Sequence, residues 1–183
     1  MPTATETATP ITPVSKEAAA AEVQPILNKL DHALGKVPAF FGTMARVPGA
    51  LATFAPFYEA VIDHGTVERK YKELGYLKAS LINGCEYCYR AHSASGKKNG
   101  VTDAQIQALA FYHRSSAFDA KEKAVVLYAE RVTRGAAAIR AAELQELKQY
   151  FSDDQIVELT LAISMANFTN RFNDALLNIP DIG

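Results

Sequence analysis

The stretch "ELGYLKASLINGCEYCYRAHS", Glu73 to Ser93, decides the fold. Its first half carries Leu74, Leu77 and Leu81 at spacings of three and four, which is one apolar stripe of a helix. Asn83-Gly84 ends that helix. Cys85 then opens a second helix, predicted to run to about Lys98 and to stop at Asn99-Gly100. The only two cysteines of the 183 residues, Cys85 and Cys88, fall within one turn, and His92 follows four positions later.

Outward from this pair, helical signals continue in both directions. Strict apolar/polar alternation is almost absent, while Ala, Leu, Glu, Lys and Gln are plentiful. Ser15 is placed to cap a helix reaching Leu34, with Gly35 as its stop and Pro25 as a kink or split. Pro48 suits the first turn of a helix ending near His64-Gly65, and Thr66 is placed to cap the next. Thr102 with Gln105, and Ser152 with Gln155, are capping-box patterns. Helices are also predicted over "FDAKEKAVVLYAERVTRG", "AAELQELKQY" and "DQIVELTLAISMANFTNRFNDALL". The sum is an all-α bundle of about eight helices over residues 15–183, preceded by an arm, residues 1–14, too poor in large apolar groups to offset its ordering entropy.

One internal echo stands out. When "ELGYLKASLINGCEYC" from Glu73 is laid on "ELTLAISMANFTNRFN" from Glu158, Cys85 falls on Asn170 and Cys88 on Asn173. Few residues are identical, so two unrelated amphipathic helices and an old duplication both fit.

Composition narrows the function classes. A net charge of −1 gives no general electrostatic reason to bind nucleic acid or an anionic membrane. No apolar run approaches the roughly 20 residues of a membrane span. "MPTATETATPITPVSK" lacks the basic and apolar regions of a secretory signal, so the expected compartment is the reducing cytoplasm. There, a Cys-x-x-Cys is a catalytic, redox-sensing or metal-binding pair rather than a staple.

Positions 85, 88 and 92 share one helix face, so the three side chains converge without help from elsewhere. A thiol near a helix N-terminus has a lowered pKa, and an imidazole one turn away can take its proton. The second thiol is placed to resolve an oxidised first one as a disulfide. Glu73 flanks the apolar stripe of the preceding helix. If that helix packs back, its carboxylate can orient His92; otherwise it is a solvated glutamate.

The spacing E-x11-C-x2-C-x3-H, spelled by Glu73, Cys85, Cys88 and His92, resembles the signature of AhpD-like alkylhydroperoxidases of the carboxymuconolactone decarboxylase superfamily. "VPAFFGTMARVPGALATFAPFYEAVI" and "ANFTNRFNDALL" resemble its peroxidase-related branch, so the likeness covers roughly Val37 to Ile179. It implies an all-α fold, often with an internally duplicated helical unit, assembled as trimers or hexamers. It implies a cysteine peroxidase that uses neither metal nor organic cofactor. The substrate would be hydrogen peroxide or an organic hydroperoxide, and an external thiol or dithiol, protein-borne or lipoyl, would restore the enzyme. Cys88 attacks on that pattern, Cys85 resolves, and Glu73 with His92 relays protons. Some members carry a histidine just before the second cysteine, where this chain has Tyr87.

Local chemistry splits the two thiols. Cys85 is nearer the helix start, but a dipole is worth only about 0.3–1 kcal/mol when exposed. A thiolate–imidazolium contact lowers a thiol pKa by several units, so His92 favours Cys88 as the attacking sulfur. Three other readings compete. A zinc site could use Cys85, Cys88, His92 and Glu73, although structural sites usually draw a second ligand pair from a separate loop. A redox-switched binding protein would use the same pair without turnover. A decarboxylase-like enzyme of the superfamily would not need the cysteines. His32, His64 and His113 read as surface or core-margin residues, Tyr71, Tyr76, Tyr87 and Tyr89 mostly as packing groups, one of which could line a peroxide pocket, and Glu68–Lys72 as a solvated charge run.

Overall fold

The structure, a computed structural model, describes residues 10–181. It has nine α-helices and no strand among the described residues: α1 (Gln24–Leu34), α2 (Ala39–Met44), α3 (Pro48–Ile62), α4 (Arg69–Asn83), α5 (Glu86–Lys98), α6 (Asp103–Ala108), α7 (Ala120–Gly135), α8 (Ala141–Leu147) and α9 (Asp153–Ala175). The all-α expectation holds. Of the expected arm, residues 1–9 lie outside the described residues. Within the rest, Val14 N–H donates to the Gly42 carbonyl at 2.9 Å, and Arg46 grips the Thr12 carbonyl at 2.6 and 2.8 Å.

α4 is the axis of the bundle, packed on α5, α7 and α9. Nine consecutive residues, Lys72 to Ser80, are buried. A helix enclosed on all sides is normally apolar all round. Here the polar members are buried with partners, as the cost of burying a charge requires. The Lys72 ammonium meets the Val61 carbonyl at 2.9 Å and Glu158 at 3.4 Å, while Lys78 meets Glu130 at 3.0 Å. Gly75 lets α9 approach: a Cβ there would sit 3.1 Å from Cγ1 of Ile163.

Several local signals behave as their chemistry dictates. Gly35 and Gly84 take left-handed conformations at φ 76° and 75° and close α1 and α4. Both expected capping boxes form. A third, Asp119 with Glu122, opens α7.

Four expectations are corrected. α1 begins at Gln24 rather than Ser15, because Pro25 lacks an N–H and fits only the first turn. Ser15 closes just a turn, accepting from Ala18 N–H at 3.3 Å. Thr66 does not cap α4, which starts after Glu68; its N–H and hydroxyl instead donate to Glu158, each at 2.9 Å. The Glu68–Lys72 run is not wholly solvated: Lys72 is buried and Arg69 half-buried, both facing carboxylates on the inner side. Leu81 also departs from the apolar stripe and is exposed, while Leu74 and Leu77 are fully buried.

Candidate active site

The short left-handed turn at Gly84 folds α5 back against α4. That reversal brings Glu73, near the start of α4, beside the second turn of α5. His92 Nδ1 lies 2.7 Å from one Glu73 oxygen. The other oxygen accepts from Arg69 Nε and from the Ser95 hydroxyl, each at 2.7 Å. Glu73 is 1% exposed, so it is not a solvated surface glutamate. Burial alone would raise its pKa. The charges of His92 and Arg69 and the hydrogen bonds from His92 and Ser95 outweigh burial and hold it at about 2. Glu73 is therefore a carboxylate at neutral pH, and it fixes the imidazole with Nδ1 as donor. The ring is further held by stacking on Tyr76, with centroids 3.4 Å apart and planes at 15°.

Cys85 is the N-cap of α5 and Cys88 lies in its first turn; both are buried free thiols. Their environments push them apart. The Cys85 thiol hydrogen-bonds to the Cys88 sulfur, and this contact lowers the Cys88 pKa despite burial, with His92, Asn170 and Asn173 adding to the effect. The same contact, with burial, raises Cys85 well above the thiol range. Proximity to Cys88 thus outweighs the helix-start effect at Cys85. The pair is arranged as one thiolate and one thiol, the division of labour a dithiol cycle uses.

The third wall comes from α9. Asn173 donates its Nδ2–H to Cys88 Sγ at 3.2 Å, and Asn178 donates in turn to the Asn173 oxygen at 2.9 Å. Thr169 Oγ1 lies 3.9 Å from Cys88 Sγ and pairs with the Tyr76 hydroxyl. Asn170 bonds Ser80 and Asn83 on α4, at 3.0 and 2.8 Å. Asn170 and Asn173 are the two positions the Glu73/Glu158 alignment matched to the cysteines. The alignment located them, but nothing in it announced that they would face the sulfur.

A cavity of about 50 Å³ opens onto Cys88 and His92, walled by Phe40, Phe41, Tyr58 and Tyr76. Tyr58, on α3, places its hydroxyl 3.2 Å from His92 Nε2. His92 therefore acts on Cys88 by its charge, while its hydrogen bond goes to Tyr58. No spacing in the sequence ties Tyr58 to the cysteines, which lie beyond a loop and a whole helix. Tyr87, where some relatives have histidine, is a packing group: its hydroxyl accepts from Phe40 N–H at 3.2 Å. Tyr89 likewise donates to the Ile106 carbonyl at 3.1 Å. His32, His64 and His113 are exposed, as expected.

Comparison with known proteins follows the same lines. Residues 48–131, which include Tyr58, Glu73, both cysteines and His92, match the model of the carboxymuconolactone decarboxylase family. Alkyl hydroperoxide reductase AhpD of Hyphomonas neptunium is 50% identical over 48 residues, 26% of this chain and 27% of that one. An uncharacterized peroxidase-related protein with the AhpD core from Ralstonia eutropha JMP134 superposes with a TM-score of 0.85 at 19% identity, over 95% of this chain and 94% of that one. The debrominase Bmp8, solved as a cysteine-to-alanine variant in complex with 2,3,4-tribromopyrrole, superposes at 0.81 with 20% identity, over 96% and 93% of the two chains. At those identities the two superpositions speak for the fold. No helix among the described residues is long and apolar enough to cross a membrane.

Proposed function

We propose that this chain, whose residues 48–131 match the carboxymuconolactone decarboxylase family model and whose fold is AhpD-like, is a dithiol peroxidase. One observation carries this reading. A buried sulfur with a lowered pKa, Cys88, opens into a small cavity, with a resolving thiol beside it and a Glu73–His92 pair next to it. A peroxide needs such a nucleophile, a proton for its leaving oxygen, and little room.

In the proposed cycle the Cys88 thiolate attacks the terminal peroxide oxygen. The sulfur is oxidised to a sulfenic acid and the peroxide is reduced to an alcohol or water. Cys85 then displaces water from the sulfenic acid, giving the Cys85–Cys88 disulfide. An external dithiol returns both thiols and is itself oxidised. No metal or organic cofactor enters this cycle. The reading includes a cytoplasmic, reducing setting and self-association. Val157, Leu161 and Phe168 expose one apolar stripe of α9, and Phe57 is exposed on neighbouring α3, which suits a trimer or hexamer.

The test is mass spectrometry of the reduced protein before and after one equivalent of peroxide. Loss of two hydrogens, mapped to a Cys85–Cys88 bridge, with stoichiometric peroxide consumption, is the expected result. An unchanged mass with unconsumed peroxide would sink the proposal. Light scattering that shows a strict monomer across micromolar concentrations would remove the self-association.

A further inference from the structure

The geometry points to Tyr58 as a further catalytic residue: the acid that protonates the departing peroxide oxygen, reloaded from His92 Nε2. This rests on the peroxidase reading above. Four observations carry it. Tyr58 and Cys88 line the same small cavity, so a peroxide in contact with the sulfur also meets the phenol. The Tyr58 hydroxyl lies 3.2 Å from Nε2, the nitrogen that Glu73 leaves free. The other phenols of the cavity are committed elsewhere: Tyr76 pairs with Thr169, and Tyr87 accepts from Phe40 N–H. Burial, then the negative charge of Glu73, push the Tyr58 hydroxyl well above the ordinary phenol range, so it stays protonated while Cys88 is a thiolate.

The contact also has a useful asymmetry. When His92 is neutral, Nε2 is an acceptor and the Tyr58 O–H donates to it. When His92 carries a second proton, Nε2–H becomes the donor, and the Tyr58 O–H is released toward the cavity. The acid is thus presented while His92 is the imidazolium whose charge favours the Cys88 thiolate. In the chemical step, a sulfur lone pair forms the S–O bond to the terminal peroxide oxygen, and the O–O bond breaks with its electron pair on the inner oxygen. That oxygen takes the Tyr58 proton, and Tyr58 takes the proton on Nε2. The net change is Cys88–SH plus ROOH to Cys88–SOH plus ROH.

The test compares two oxidants on Tyr58→Phe, which keeps the ring and removes the acid. An alkyl hydroperoxide leaves as an alkoxide, a strong base that needs a proton. A peroxycarboxylic acid leaves as a carboxylate, stable without one. Stopped-flow rates of Cys88 oxidation are read for both, with Cys88 alkylation by iodoacetamide as a measure of thiolate content. The expected result is that Tyr58→Phe raises the peracid-to-alkyl-hydroperoxide rate ratio by about 100-fold, the lower part of the range for a lost acid. An equal fall with both oxidants would assign Tyr58 a structural role and overturn the inference. So would an unchanged rate with both. Wild-type protein inert toward both oxidants would instead overturn the peroxidase reading, and the inference with it.

Discussion

Asn173, on the last long helix, donates its side-chain N–H to the sulfur of Cys88, 85 positions earlier, at 3.2 Å. A hydrogen bond to a charged acceptor is worth about 1.5–3 kcal/mol, and one pKa unit is about 1.4 kcal/mol. Asn173→Ala is therefore expected to raise the Cys88 pKa by about one to two units. Cys88 falls below the thiol range in the intact protein, so its alkylation by iodoacetamide should already be fast at neutral pH. The variant should shift the pH–alkylation midpoint upward and slow alkylation at neutral pH about two- to tenfold. A midpoint that stays in place would show that Asn173 merely fills space.

Glu73→Gln is expected to slow peroxide reduction on the order of 10–100-fold while the protein stays folded. The same carboxylate makes an acid-stability prediction. Its folded pKa of about 2 lies below the ordinary 4.5, so folding favours the ionised form. That contribution is complete above about 4.5 and is lost as pH falls toward about 2; its size is about 3 kcal/mol. Urea midpoints of wild type and Glu73→Gln should converge as pH drops through this window. A gap that stays constant with pH would contradict the assignment.

The order of attack is open to chemical trapping. Cys85→Ser treated with peroxide should accumulate a dimedone-reactive sulfenic acid on Cys88, because its resolving thiol is gone. Cys88→Ser should form none at the same dose. A label on Cys85 in Cys88→Ser, formed as fast as wild-type turnover, would reverse the roles.

The turn after α9 holds local strain. Leu177 takes a left-handed conformation at φ 53°, unfavourable for a side chain with a Cβ, and is exposed. The strained turn lets Asn178 N–H reach the Asn173 carbonyl at 3.0 Å. Leu177→Gly should stabilise the fold by about 1 kcal/mol in urea unfolding and leave Cys88 alkylation unchanged. A loss of stability would show that the leucine side chain contributes more than its backbone costs.

Legibility from sequence followed the range of the interactions. Cys85, Cys88 and His92 share one helix face, so helical spacing groups them, whereas spacing leaves Glu73 either an orienter of His92 or a solvated glutamate until α4 packs back across the Asn83-Gly84 reversal. Capping boxes and glycine stops were legible for the same reason: their partners are three or four residues apart. The start of α1 was missed because residues from Ser15 onward suit a helix by propensity, and Pro25 overruled them. Thr66 was misassigned because its partner, Glu158, lies 92 positions away. Tyr58, Thr169 and Asn173 reach the site only through tertiary packing of α3 and α9, which no local pattern encodes.

The burial of Cys85 has a kinetic consequence. Cys85 is 0% and Cys88 3% exposed, and the cavity of about 50 Å³ is lined by Cys88 but not by Cys85. In the proposed cycle the oxidant's entrance therefore gives a reducing dithiol no approach to Cys85 in this conformation. For attack at Cys85 the disulfide must surface first, most simply by fraying of the first turn of α5, where Cys85 is only a cap. Re-reduction would then be limited by how often that turn opens. Its rate should level off as reductant is raised, whereas oxidation should stay linear in peroxide. A re-reduction rate that climbs linearly without limit would mean that the oxidised pair is already at the surface.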